Sequence, residues 1–99
     1  MEYRIEYSPD ALEHLKGLTK RQQQVVVDTV HQQLTHQPSR VTRNRKPLRD
    51  NPLAPWELRI GDLRIYYDVE DDPEPVVHIR AIGVKDRNRV RIAGGEYPL

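Results

Sequence analysis

Ninety-nine residues, 36% apolar and 31% charged, support one small core and no second one, so a single domain over residues 1–99 with a strongly charged surface is expected. The absence of cysteine excludes disulfides, a thiolate nucleophile and cysteine-type zinc sites; no two of His14, His31, His36 and His78 stand at the i,i+3 or i,i+4 spacing of a helical histidine pair, so neither a metal nor another cofactor is expected. No run approaches the roughly 18 apolar residues of a membrane span and no apolar signal segment follows Met1, which points to a cytoplasmic protein without membrane contact; the net charge of +1 hides an uneven distribution, so partners have to be argued from patches.

Tyr3-Arg4-Ile5-Glu6-Tyr7 alternates apolar with charged residues and predicts a half-buried strand. Ser8 is a good N-cap and Pro9 suits a first helical position, so a short helix carrying Ala11, Leu12, Leu15 and Leu18 follows. Thr19 and Gln22 have capping-box spacing, and Val26, Val27, Val30 and Leu34 mark the apolar stripe of a second helix that must stop before Pro38. The β-branched run Val25-Val26-Val27 also suits a strand, but the flanking glutamines and the i+3/i+4 spacing favour the helix, and the short gap predicts an antiparallel helical hairpin. Leu12, Leu15, Val27, Val30 and Leu34 are the residues expected to meet a sheet.

Arg40, Arg43, Arg45, Lys46 and Arg49 follow with no acid before Asp50. Such a run is either a solvated loop or a polyanion contact. The strongest local signal is Trp56–Ile60, Gly61-Asp62, Leu63–Val69, whose alternation on both sides of a two-residue turn predicts a hairpin. The turn fixes the register: Ile60 opposite Leu63, Arg59 opposite Arg64, Leu58 opposite Ile65 and Glu57 opposite Tyr66. Trp56, Leu58, Ile60, Leu63, Ile65, Tyr67 and Val69 then share a core face; Glu57, Arg59, Arg64, Tyr66 and Asp68 share a wet one. A proline-broken acidic loop leads to a central strand, Val76 to Val84, followed by the basic stretch Lys85, Arg87, Arg89 and Arg91 and a tail from Gly94 that leaves the sheet. The expected class is α+β, ordered β-α-α-β-β-β, with a small antiparallel sheet of about four strands and the helical hairpin packed on one face.

Directly opposed arginines repel, by some tenths of a kcal/mol or more, so Arg59 and Arg64 need an offset. Glu57 and Asp68 could bridge them into a surface network; alternatively the paired guanidinium forks hold a phosphate. His78 reads as an ordinary half-buried strand residue rather than a catalyst.

Nearly the whole chain resembles the RelE/ParE superfamily of toxins from bacterial type II toxin–antitoxin pairs. The resemblance rests on the opening strand and helical hairpin, Lys46-Pro47-Leu48-Arg49, the segment from Trp56 to Tyr67 around Gly61-Asp62, and Ala81-Ile82-Gly83-Val84-Lys85-Asp86-Arg87. In its RelE-like branch it implies a metal-independent, ribosome-dependent mRNA endoribonuclease that inhibits translation. Arg59, Arg64, Lys85 and Arg87 would form the catalytic surface, with Lys85 as a candidate base. Arg43, Arg45, Lys46, Arg49, Arg89 and Arg91 would then bind RNA or the ribosome. The pattern departs where relatives often carry a histidine (Val84), a C-terminal tyrosine (Arg91) and a lysine on the first hairpin strand (Glu57); Tyr97 is a candidate replacement as acid or base. The resemblance also implies a cognate antitoxin with an acidic, partly disordered segment, and operator DNA bound only through that complex. Two alternatives remain: a ParE-like, non-enzymatic gyrase inhibitor, and a catalytically weakened homologue acting mainly in an antitoxin-bound DNA-binding complex.

Overall fold

Strand β1 (Arg4–Tyr7) runs into Ser8, whose hydroxyl accepts the Ala11 N–H at 3.0 Å and starts α1 (Pro9–Lys16). Thr19 and Gln22 close the expected capping box, each side chain bonding the other's backbone N–H at 3.1 and 3.0 Å, and α2 (Lys20–Leu34) follows. The computed structural model describes residues 2–93 and 95–98, with the backbone alone for Tyr97 and Pro98. Among them no helix is long and apolar enough to cross a membrane.

The remaining elements are strands: β2 (Arg45–Pro47), β3 (Trp56–Ile60), β4 (Leu63–Glu70), β5 (Val76–Asp86), β6 (Arg89–Ile92) and β7 (Gly95–Pro98). They pair antiparallel in the order β2-β3-β4-β5-β6-β7, while β1 runs parallel beside the first half of β5. The expected α+β architecture is therefore present with a larger sheet. The basic stretch contains β2, whose Pro47 sits on an edge strand, where a missing N–H is tolerated. The basic tail turns back as β6, and the residues expected to leave the sheet instead add β7.

The hairpin register is the one the alternation predicts, from Ile60 opposite Leu63 to Glu57 opposite Tyr66. Its core face packs on the helices through Leu58, Ile65 and Tyr67 with Ala11, Val26, Val30 and Leu34. Trp56 and Tyr67, cross-strand partners, stack with ring centroids 6.0 Å apart, and the Tyr67 hydroxyl donates to the Pro38 carbonyl at 2.8 Å. Two expected core residues are corrected. Leu12 and Val27 are exposed, because the helix faces turned inward are centred on Ala11 and on Val26/Val30/Leu34, and the next residue lies about 100° around the helix. In β5 the pairing shifts between Tyr66 and Tyr67, leaving Arg80 as an extra residue. The bulge inverts the alternation, so Val77 and Ile79 before it and Ile82 after it all reach the helix-side core.

The opposite face is not uniformly wet. A second cluster, Ala54, Tyr66, Ala81, Val90 and Ile92, is buried there, with Leu48 and Leu53 packed against it. Gly83 allows it: a Cβ at this position would lie 2.6 Å from Cγ1 of both Val90 and Ile92 and 2.8 Å from the Arg91 carbonyl. Because one of these obstacles is backbone, Gly83→Ala should lower stability by about 1–3 kcal/mol, read as a lower urea midpoint.

Candidate active site

Adjacent strands set Lys46, Glu57 and Tyr66 side by side on the face away from the helices, since Lys46 pairs with Glu57 and Glu57 with Tyr66. The segment from Leu48 to Leu53 rises beside them, and together they line a groove of about 610 Å³ that also holds Arg49 and Arg59. Glu57 forms the floor, only 4% exposed. Its Oε1 accepts the Arg59 Nε–H at 3.0 Å and lies 3.9 Å from Lys46 Nζ. Burial raises the pKa of the Tyr66 hydroxyl well above its ordinary value, Glu57 adding to the shift by charge and hydrogen bonding while the Arg64 and Arg59 guanidinium groups oppose it. The phenol is accordingly protonated at neutral pH. A proton acceptor, two cations and a neutral proton donor thus meet in one groove, which is the equipment of general acid–base catalysis at a phosphodiester.

Glu57 and Tyr66 are the members that reading the sequence did not place in the site: Tyr66 was expected on a wet face and is 3% exposed, and Tyr97 was the acid–base candidate. Glu57 registered only as a departure from the family's lysine and as one candidate bridge between arginines. The available signal was a carboxylate two residues from Arg59 on one strand face, directly opposite a tyrosine.

The expected residues separate. Arg59 and Arg64 are paired in register, but their side chains diverge: Arg59 turns to Glu57, while Arg64 donates from Nη1 to the carbonyls of Gly61 at 2.7 Å and Leu63 at 2.9 Å. Asp68 does not bridge them; it lies 3.6 Å from Arg80. The expectation that Arg64 sits on a wet face is overturned, for it is 6% exposed with its Nε buried and unpartnered. Arg64→Ala should therefore cost about 1–3 kcal/mol rather than the few tenths of a surface charge, measurable by urea denaturation.

Arg45 is buried on the helix side, opposite Leu58, and donates from Nη1 to the Gln37 carbonyl at 2.8 Å, in the loop that follows α2. Its expected role as an exposed RNA contact does not fit this position. Lys46 and Arg49 line the groove, and Arg43 is exposed beyond it. Lys85 is half-buried at the end of β5 and its N–H donates to Asp62 O at 2.7 Å; it does not line the groove. Arg87, at φ 59° in the β5–β6 turn, and Arg89 line a separate depression with Asp86 and Glu96. Arg91 pairs in register with Val84, on the helix side of the sheet, and bonds Asp86 at 3.0 Å. The Tyr97 side chain lies outside the described residues. His78 is half-buried with Nε2 3.1 Å from Glu70, as an ordinary strand residue would be.

Comparison with known proteins agrees with this architecture. No curated protein matches the chain in sequence. Among solved structures, the RelBE2 toxin–antitoxin complex from Mycobacterium tuberculosis contains a chain that is 25% identical, with a TM-score of 0.73 over 86% of this chain and 100% of that one. The archaeal RelE–RelB complex from Pyrococcus horikoshii OT3 contains a chain that shares the fold at 21% identity, with a TM-score of 0.68 over 88% of this chain and 99% of that one. The family model for the ParE toxin of the type II toxin–antitoxin system parDE matches residues 5–89. This chain belongs to that family, within the RelE/ParE superfamily, and is a toxin of a type II toxin–antitoxin system.

Proposed function

We propose that the toxin is a ribosome-dependent mRNA endoribonuclease, and the observation that carries this reading is the buried Glu57 carboxylate held between Arg59 and Lys46 beside the protonated Tyr66. In the proposed step, Glu57 takes the proton of a ribose 2′-hydroxyl. The freed oxygen attacks the adjacent phosphorus, forming the new P–O bond of a 2′,3′-cyclic phosphate as the bond to the 5′-oxygen breaks. Tyr66 gives its proton to that leaving oxygen, and Arg59 and Lys46 offset the charge that grows on the phosphorane. Arg64 acts on Tyr66 through its field and on the hairpin turn through its hydrogen bonds. No step needs a metal or other cofactor. Lys85 and Arg87 take no part in proton transfer; with Arg89 they are assigned to phosphate contacts on the ribosome.

Arg49, which donates no side-chain hydrogen bond to the floor, is assigned to affinity. Arg49→Ala should weaken ribosome binding and flatten its salt dependence by about one counterion, while leaving the saturated cleavage rate nearly unchanged. Titrating cleavage against protein at two salt concentrations checks this. By likeness to the RelBE2 and RelE–RelB complexes, the partner that silences the toxin is an antitoxin, whose acidic segment would fold over the cationic groove and carry the pair to operator DNA.

The ParE family model supports a second reading, binding and inhibition of DNA gyrase without catalysis. Inducing the toxin and following translation and plasmid supercoiling separately distinguishes the two: endoribonuclease action stops translation first, with supercoiling intact, and gyrase inhibition does the reverse.

A further inference from the structure

One exposed side chain, Asn51, holds the wall of the groove in shape. Its Oδ1 accepts the N–H groups of Leu53 at 2.8 Å and Ala54 at 3.1 Å, and its Nδ2 donates to the carbonyls of Arg49 at 2.6 Å and Ala54 at 2.9 Å. The Leu48 N–H closes the base of the same loop on the Pro55 carbonyl at 2.7 Å. Leu48 and Leu53 then fasten the loop to the second core beside Tyr66 and Ala81. A segment with neither helix nor strand is thereby fixed by one amide and two leucines. On the groove side it presents Leu48, Pro52 and Leu53, continued by Pro47 at the end of β2, with Arg49 and Asp50 lining the same groove beside the floor of Glu57 and Arg59.

A phosphate or a ribose gains nothing from an apolar wall, and a purely electrostatic contact has no use for a rigid one. A planar group with apolar faces, attached to an anion, matches both sides of the groove at once, and the groove's volume falls in the range of small-molecule sites. We infer that the Leu48–Leu53 wall is a preformed nucleobase subsite: it packs against one base of the mRNA in the ribosomal A site while Glu57, Arg59 and Lys46 engage the neighbouring ribose and phosphate. Asn51 is its positioning residue. The inference rests on the endoribonuclease reading and adds where a base is held. Preorganisation is its physical advantage, since the loop does not lose further freedom when the base arrives.

The test uses the whole toxin and ribosomes programmed with mRNA in which each of the three A-site nucleosides is replaced in turn by an abasic residue that keeps its 2′-hydroxyl. At one position the abasic codon should raise the half-saturating toxin concentration about tenfold, the scale of one lost base contact. That abasic-to-intact ratio should fall towards one in Leu53→Ala, because the variant has already lost the contact. It should fall likewise in Asn51→Ala, a change that loss of stability alone does not produce in a ratio taken within one folded variant. Pro52→Ala, at an exposed position, replaces Leu53→Ala if the latter does not fold. Normal cleavage with no abasic penalty at any position, or a penalty of equal size in wild type and wall variants, overturns the subsite and leaves the endoribonuclease reading standing. Failure of wild-type toxin to cleave even the intact codon overturns both.

Discussion

Glu57→Gln should lower the single-turnover cleavage rate on programmed ribosomes by about 10²–10⁴-fold, the range that a positioned general base supplies. The substitution preserves volume and an oxygen that accepts the Arg59 Nε–H, so folding and ribosome affinity should persist. What it removes is the ability to hold a proton. The loss should therefore fall on the saturated rate while the half-saturating toxin concentration stays nearly unchanged, a split that a packing defect does not produce. Wild-type rates for Glu57→Gln would move the base elsewhere on the surface.

Arg59→Ala is expected to cost about 10²–10³-fold in the same saturated rate, as removal of a donor aimed at developing charge does. Its side chain is 44% exposed, so stability should change little. Lys46, 3.9 Å from the same carboxylate oxygen, keeps some positive charge at the floor, which bounds the loss. Arg59→Lys should recover only part of it, because an ammonium cannot present the planar fork that bonds Glu57 and a phosphate oxygen together. Since the effect falls on the chemical step, raising the toxin concentration should not restore the rate of either variant. Quench-flow measurement at saturating toxin separates this from the Arg49→Ala effect, which higher toxin concentration does restore.

The elements that the sequence made legible are those fixed by local chemistry. Ser8, Thr19 and Gln22 cap helices through side chains three residues apart, and the Gly61-Asp62 turn sets a register that alternation then carries through five residues on each side. What escaped is set by contacts between distant segments. Alternation places Arg64 on a face but says nothing of whether that face is covered. Here it is partly covered, because β6 returns across Gly83 and the loop before β3 packs down through Leu48 and Leu53. The β5–β6 turn gave no glycine signal, since Arg87 itself takes the left-handed backbone that glycine or asparagine usually supplies. The Arg80 bulge and the parallel pairing of β1 with β5 join segments some seventy residues apart or shift a register by one, and neither has a local signature. In the site, positive charge was visible as a run of arginines and lysines. The run could not show that Arg45 turns inward to Gln37 while Lys46 turns out to Glu57; consecutive strand residues do so only once β2 is known to be a strand.

The central claim is that this face of the sheet cuts RNA. Wild-type toxin, freed of any antitoxin, should be added to ribosomes carrying end-labelled mRNA, and the cleavage products read for the position and chemistry of the new 3′ end. A single cut within the A-site codon, leaving a 2′,3′-cyclic phosphate, is the result expected from Glu57, Arg59 and Tyr66 acting as described. Intact mRNA at saturating toxin, with gyrase supercoiling inhibited in a parallel reaction, would contradict it.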